Sequence, residues 1–155
     1  MQTLEEIDFI RVNNNEQNLG YGGNVKLLMN MVRGQFFQIL SDDDMYLDDL
    51  IQTELDILSR ESERIDYAFV AATWTKSKAQ GWLSRSQFFQ EFSMASVACG
   101  SNIFRTDLAR KIPVQSETWL HCDLLFNMNP MEVFVFKPLI DMKMPGTEDK
   151  SYWHN

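Results

Sequence analysis

The chain has 155 residues, enough for one domain with a sizeable core, and its composition of 45% hydrophobic and 23% charged residues is ordinary for a globular protein. A formal net charge of −8 argues against a nucleic-acid-binding protein, which needs a basic face, and against a surface held on anionic lipid by lysines. Two cysteines, no cationic apolar N-terminal segment and no apolar run near the roughly 20 residues of a membrane span favour a cytoplasmic protein with at most peripheral contact at the inner face of the membrane.

The first part of the chain alternates between strand-like and helix-like segments. Residues 7–12, IDFIRV, alternate apolar and polar side chains like a half-buried strand, and the Asn- and Gly-rich residues 13–23 are typical of a loop. A helix is predicted from Asn24, a suitable N-cap, to Gly34, which marks its end. Its apolar stripe consists of Val25, Leu28, Met29 and Val32. The apolar residues 36–40 are predicted to form a strand, and a second helical stripe follows, made of Leu47, Leu50, Ile51, Leu55 and Leu58.

The second part continues the alternation. Residues 67–74, YAFVAATW, are predicted to form an apolar strand, with Trp74 in the core, and residues 75–81 are predicted to form a polar loop. Further along the chain come the short run NIFR, the helix-like TDLARKI, a helix candidate over residues 117–128 and a last strand over residues 132–142. Strands separated by helices favour an α/β domain with a largely parallel sheet.

Three consecutive carboxylates, Asp42, Asp43 and Asp44, follow the apolar residues 36–40. Ligands of open α/β sheets bind outside the carboxyl ends of the strands, where this triplet is predicted to lie. Carboxylates packed so closely raise one another's pKa unless a cation neutralises them, and Mg²⁺ accepts carboxylate together with phosphate oxygens. The alternative interpretation is that the acids only cap the helix that follows.

Residues 18–50 resemble family 2 glycosyltransferases of the GT-A fold in the order and spacing of their motifs. Those enzymes carry a loop of the form N-x-G-x-x-x-N, a helix that ends in G-x-[FY], and an apolar strand that ends in the DxD metal motif. The matching residues are Asn18, Gly20 and Asn24 in the loop and Gly34 and Phe36 at the helix end. The sequence SDDD occupies the place of the usual D-x-D-D, with Ser41 in the position of the first acid.

The resemblance implies a Mg²⁺ or Mn²⁺ ion that bridges the two phosphates of a nucleotide-sugar donor. Asp43 and Asp44 are the expected metal ligands, and Asp42 is expected to support them on the donor side. Asn18, Gly20 and Asn24 are expected on the nucleotide side of the site. Lys26 could meet a phosphate near the start of the predicted helix, where anions are favoured, although a solvated lysine is the alternative.

Inverting members of this family use an acid to deprotonate the acceptor hydroxyl. Asp123, in WLHCDLL, is the expected base, and Glu117 is the second candidate. The resemblance implies transfer of a sugar from a nucleotide diphosphate to a glycan or lipid-linked acceptor in cell-surface polysaccharide synthesis. The alternative is a non-catalytic binding or assembly module, or an inactive fragment, that keeps the fold.

The resemblance also predicts a partial domain. Complete members begin with a strand of the form V-S-[IV]-[IV]-[IV]-P-x-[YF]-N, which this sequence lacks. We therefore expect a GT-A-like (Rossmann-like), mostly parallel sheet, flanked by helices, without its first strands. Residues 1–60 would form the remainder of the nucleotide-sugar and metal-binding part, and residues 61–155 the acceptor-side part. The exposed sheet edge would favour a homo-oligomer.

Overall fold

In the computed structural model, six strands form one mixed sheet with helices on both of its faces; the structure describes residues 10–40, 44–46, 50–72, 74–97, 99–113 and 120–141. The strands are β1 (Phe36–Gln38), β2 (Met45–Tyr46), β3 (Tyr67–Ala72), β4 (Gly81–Ser84), β5 (Asn102–Arg105) and β6 (Glu132–Asp141). The helices are α1 (Gly20–Met31), α2 (Leu50–Arg60), α3 (Arg85–Phe92), α4 (Thr106–Ala109) and α5 (Leu120–Met128). Within these ranges, no helix is both long and apolar enough to cross a membrane.

The strand order is β1-β5-β3-β6-β2, and β4 also pairs with β6. Strands β3 and β6 pair in parallel, whereas the other pairings in the described sheet are antiparallel. It follows that β1, β3 and β6 run in one direction and that β5 runs in the other direction between β1 and β3. The predicted α/β class is confirmed, but the described sheet is mixed rather than mostly parallel. A short apolar run carries the same pattern in either direction, so the sequence pattern did not reveal how β5 is oriented.

The core is divided by the sheet into two layers. On one face, Val25 and Met29 of α1 join the aromatic residues of β3 and α3, including Phe69 and Phe88, whose ring centroids lie 5.1 Å apart. On the other face, Leu58 of α2 packs with a smaller cluster of aliphatic side chains around β3. All six residues of β3 are buried, as expected of a strand covered on both faces.

Helix α1 begins at Gly20, four residues before the predicted start, so the prediction that Asn24 is the N-cap is wrong. The side chain of Asn18 accepts a hydrogen bond from Gly20 N at 2.8 Å, and Gly20 has a φ of +65°, which glycine adopts without strain. Residues 10–12 of the predicted first strand form no strand, and residues 7–9 lie outside the described residues. The hydrogen bond of Asn18 and the positive φ of Gly20 therefore set the start of α1, rather than the N-cap predicted at Asn24.

Helix α2 is confirmed, but its buried face differs from the predicted stripe. Leu58 is buried, whereas Ile51 and Leu55 are 50% and 52% exposed, and Glu54 is only 7% exposed. Leu47, also assigned to the stripe, lies outside the described residues. The helix is thus rotated so that a carboxyl group faces the protein interior, where Tyr46 contacts it.

The connection between α1 and β1 is held by α4 and the residue after it. Thr106 Oγ1 donates to the carbonyl of Gly34 at 2.7 Å, and Thr106 N donates to the carbonyl of Gln35 at 2.9 Å. The guanidinium of Arg110 donates to the carbonyls of Met29 and Val32 at 3.0 and 2.6 Å. The bonds from Arg110 satisfy carbonyls at the end of α1 that have no partner within the helix, and the bonds from Thr106 hold the turn that follows.

Candidate functional site

The candidate site is the carboxyl edge, by which we mean the edge of the sheet where β1, β3 and β6 end. Helix α1 reaches β1 through a short turn and lines with it a cavity of about 210 Å³ that includes Val25 and Leu40. The helix therefore runs antiparallel to β1, and its start at Gly20 lies towards the carboxyl edge. The predicted donor loop and the end of β1 are thus brought to the same side of the sheet.

Asparagine side chains tie the predicted donor loop to the start of α1. Asn13 Nδ2 donates to Asn15 Oδ1 at 2.8 Å, and Asn15 Nδ2 donates to Asn24 Oδ1. Asn18 holds Gly20 N, as described above, so the structure places the three predicted loop residues in one exposed group. Lys26 is exposed on α1 and extends this polar surface by less than one further helical turn beyond Asn24.

Asp44 is the one member of the acidic triplet that the structure describes; Asp42 and Asp43 lie outside the described residues. Asp44 is partly buried and immediately precedes β2, which pairs with the last residues of β6. It therefore lies at the carboxyl edge. Among the residues described, no group of three or more His, Cys, Asp or Glu side chains is placed to hold a metal. The triplet offers only carboxylate oxygens, which suit Mg²⁺ and Mn²⁺.

A polar cluster of Gln38, Tyr46 and Glu54, which we call the Tyr46 cluster, lies beside Asp44. The Tyr46 hydroxyl contacts Gln38 Oε1 and lies 3.1 Å from Glu54 Oε2. Gln38 Nε2 donates to the carbonyl of Gly100, just before β5. These contacts connect β1, β2, α2 and the start of β5 through side chains. A cavity of about 400 Å³ between α2 and β1 is lined by Gln38 and Glu54.

Burial raises the pKa of Glu54 to about 7, although the hydrogen bond to Tyr46 partly offsets this effect. Burial and the neighbouring charge of Glu54 also raise the pKa of Tyr46. The tyrosine has one proton to donate, and Gln38 Oε1 accepts it. The Glu54 carboxylate is the alternative acceptor of the same proton, because the Tyr46 hydroxyl donates towards its Oε2 at 3.1 Å. Sequence analysis missed this cluster, although a glutamate one helical turn before the buried Leu58 is a detectable signal.

Asp123, the predicted base, lies in the first turn of α5 and is partly buried. Its carbonyl accepts a hydrogen bond from Asn127 Nδ2 at 2.7 Å, and the next two residues, Leu124 and Leu125, are buried in the core. A short turn joins the end of α5 to the start of β6, so α5 begins towards the carboxyl edge. Glu117, the second candidate, lies outside the described residues.

Trp74 and Thr75 follow the carboxyl end of β3. Trp74 is partly buried and packs against the core on the α2 face, which agrees with its predicted structural role. Thr75 is 6% exposed, and its backbone N donates to the carbonyl of Ala72 at 2.9 Å. In the described structure, neither Trp74 Nε1 nor Thr75 Oγ1 has a hydrogen-bond partner although both atoms are buried.

The fold is similar to crystal structures of residues 1–349 of S. aureus TarS, which were solved in complex with UDP and with UDP-GlcNAc. For TarS in complex with UDP, the TM-score is 0.63 at 15% identity, over 84% of this chain and 42% of that chain. For TarS in complex with UDP-GlcNAc, the values are 0.64 and 16%, over 89% and 43% of the two chains. The chain thus spans about two fifths of the TarS chains that it matches. No protein-family profile and no curated protein sequence matches it.

Proposed function

We propose that the chain forms part of a metal-dependent, inverting glycosyltransferase of family 2. It would transfer a sugar from a nucleotide-diphosphate donor to a glycan or lipid-linked acceptor in cell-surface polysaccharide synthesis, in the cytoplasm or peripherally at the inner face of the membrane. The observation that carries this proposal is the likeness of the fold to TarS, which was solved with UDP and with UDP-GlcNAc. The division into a donor part, residues 1–60, and an acceptor part, residues 61–155, stays a prediction.

In this proposal, Asp43 and Asp44 hold Mg²⁺ or Mn²⁺, with Asp42 in support. The metal would draw negative charge from the diphosphate as it leaves. The position of Asp44 at the carboxyl edge supports this assignment, because ligands of α/β sheets bind at that edge. The start of α1 lies towards the same edge and favours an anion, so Asn18, Gly20, Asn24 and Lys26 are proposed to contact the nucleotide and its phosphates.

Asp123 is proposed as the general base. It would accept the proton of the acceptor hydroxyl while the hydroxyl oxygen bonds to the anomeric carbon and the bond from that carbon to the diphosphate oxygen breaks. The direction of α5, which begins towards the carboxyl edge, supports this role. Glu117 stays the second candidate.

Calorimetric titration with UDP, GDP, TDP and CDP, each with and without Mn²⁺, tests the donor site. We expect one nucleotide to bind only when Mn²⁺ is present, and Asp43→Asn or Asp44→Asn to weaken that binding at least tenfold because a carboxylate ligand is lost. Asp107→Asn is the matched control, since Asp107 is exposed on α4 and, among the described residues, its carboxylate forms only a surface ion pair with Lys111. Equal metal-dependent binding by all three variants would contradict the metal assignment.

A non-catalytic binding or assembly module is the second candidate function. The observation that favours it is the sequence SDDD, in which Ser41 takes the position of the first acid of the metal motif. Such a module would show neither metal-dependent transfer nor hydrolysis of any nucleotide sugar. Detection of either reaction with the purified chain, and its loss in Asp123→Asn, would support the enzyme instead.

A further inference from the structure

We propose that Trp74 Nε1 and Thr75 Oγ1 donate hydrogen bonds to oxygen atoms of a sugar bound at the carboxyl edge. This inference rests on the proposed function and deepens it, because it assigns two residues to the carbohydrate rather than to the nucleotide. The ligand class is a sugar ring with hydroxyl or amide oxygens. Its source is the transferred sugar of the donor or a sugar of the acceptor.

Trp74 Nε1 and Thr75 Oγ1 are both buried, and neither has a hydrogen-bond partner within the described residues. A buried polar atom that makes no hydrogen bond costs about 1–3 kcal/mol, so such atoms are rare in folded proteins. In the described part of the chain three side-chain atoms are in this state, and two of them belong to these consecutive residues. The third, Arg85 Nε, belongs to a guanidinium that lies over the Phe89 ring, at the opposite edge of the sheet.

Trp74 and Thr75 also lie at the carboxyl edge, directly after β3. The hydrogen bond from Thr75 N to the carbonyl of Ala72 turns the chain tightly at the end of β3, which keeps both side chains next to the carboxyl edge. Strands β1 and β2 lie at opposite ends of the strand order, and β3 lies between them. Across the sheet, Tyr46 of β2 and Ala72 of β3 both pair with Ile140 of β6, so two strand spacings, roughly 10 Å, separate them.

The side chains of Trp74 and Thr75 also match the chemistry of a sugar ring. Asp44 precedes β2, so a diphosphate held there would leave its attached sugar near the end of β3. Trp74 offers an N–H donor and an apolar ring, which together suit the oxygen atoms and the C–H face of a sugar. The Thr75 hydroxyl both donates and accepts, as sugar hydroxyls do.

The test follows the Trp74 indole N–H resonance by NMR in the full chain, with Trp74→Phe providing its assignment. The titrants are UDP, UDP-GlcNAc and N-acetylglucosamine. A shift with UDP-GlcNAc but not with UDP supports contact with the transferred sugar, and a shift with N-acetylglucosamine alone supports contact with an acceptor sugar. No shift with any titrant, while UDP binds elsewhere, overturns the sugar contact and leaves the proposed function intact. If the folded chain binds none of these titrants and also binds neither GDP, TDP nor CDP in the presence of Mn²⁺, both proposals are contradicted.

Affinity and stability of substituted chains provide a second readout. We expect Trp74→Phe and Thr75→Val to weaken UDP-GlcNAc or N-acetylglucosamine binding about tenfold while UDP binding stays unchanged. Thr75→Val keeps the shape of the side chain and should also leave thermal stability unchanged, because the removed hydroxyl has no partner within the described protein. Trp82→Phe is the matched control, since Trp82 lies on β4 and packs against Phe134 away from the carboxyl edge. A loss of stability without loss of sugar affinity would assign both residues a purely structural role.

Discussion

Glu54 shows how a single residue can depart from its sequence pattern. Its position on α2 falls within a predicted apolar stripe, yet the structure buries it and leaves Ile51 and Leu55 about half exposed. The spacing of apolar residues predicts that one face of a helix is buried. It does not predict which residues border that face when a polar residue of the helix, here Glu54, contacts a side chain on a strand, here Tyr46 of β2. By contrast, the packing of Trp74 against the core was predictable from its apolar neighbours in the sequence. That its indole N–H has no hydrogen-bond partner within the described residues was not predictable, because such a partner can come from any distant part of the chain.

The raised pKa of Glu54 predicts that stability depends on pH. The pKa is about 7 in the folded protein and 4.5 in an unperturbed glutamate, so between these values the folded state binds more protons than the unfolded state. The stabilisation from this carboxyl is therefore fully present below pH 4.5 and is lost as the pH rises through 7. A shift of this size corresponds to at most about 3 kcal/mol.

Urea unfolding at pH 5 and pH 8 measures this contribution. We expect Glu54→Gln to reduce the difference in the free energy of unfolding between the two pH values, because the amide oxygen can accept from the Tyr46 hydroxyl but the amide does not titrate. Glu63→Gln is the control, since Glu63 is exposed in the turn after α2. The same pH dependence in the parent chain and in Glu54→Gln would show that this carboxyl does not titrate as described.

At the scale of elements, helix and strand segments were predictable, whereas their starts and directions were not. Strands β1, β3 and β6 coincide with apolar runs in the sequence, and α2 and α5 coincide with predicted helices. The start of α1 was missed because the segment GYGG lowers helix propensity, yet Asn18 and the packing of Val25 and Met29 compensate. The antiparallel direction of β5 depends on its connections, which no local pattern reports.

The contacts of Arg110 are expected to stabilise the end of α1. Its guanidinium donates to carbonyls of Met29, Asn30 and Val32, so Arg110→Ala should lower the free energy of unfolding by about 1–2 kcal/mol. Lys111→Ala is the neighbouring control, because the Lys111 side chain forms only an exposed ion pair with Asp107 within the described residues and should change stability by less than about 0.5 kcal/mol. Chemical denaturation of both variants gives the comparison, and equal effects would show that the carbonyl contacts contribute nothing specific.

At the scale of the whole molecule, β1 forms one end of the described strand order, and the cavities of about 210 and 400 Å³ form a groove on each of its faces. Leu28 and Val25 line the groove of about 210 Å³ on the α1 side, and Leu55 lines the groove of about 400 Å³ on the α2 side. Leu28 and Leu55 are 50% and 52% exposed. An edge of this kind offers hydrogen bonds and apolar contacts to another chain.

We therefore propose that a second copy of the chain associates at β1. Sedimentation equilibrium should show concentration-dependent association, and Leu28→Lys and Leu55→Lys should weaken it about tenfold by placing charge in the grooves. Ile51→Lys is the matched control, because Ile51 is equally exposed on α2 and lines neither groove. A monomer at every concentration, or equal association by the control and the groove variants, would contradict this proposal.

The strand order also determines when the protein can fold during synthesis. Strand β1 pairs with β5 and β2 pairs with β6, so strands from the first third of the chain need partners from its last third. A ribosome releases the early strands seconds before their partners exist, because translation adds about 5–20 residues per second. The sheet, and with it the carboxyl edge, can close only after β6 has emerged, so the apolar residues of β3 lack this partner strand until then.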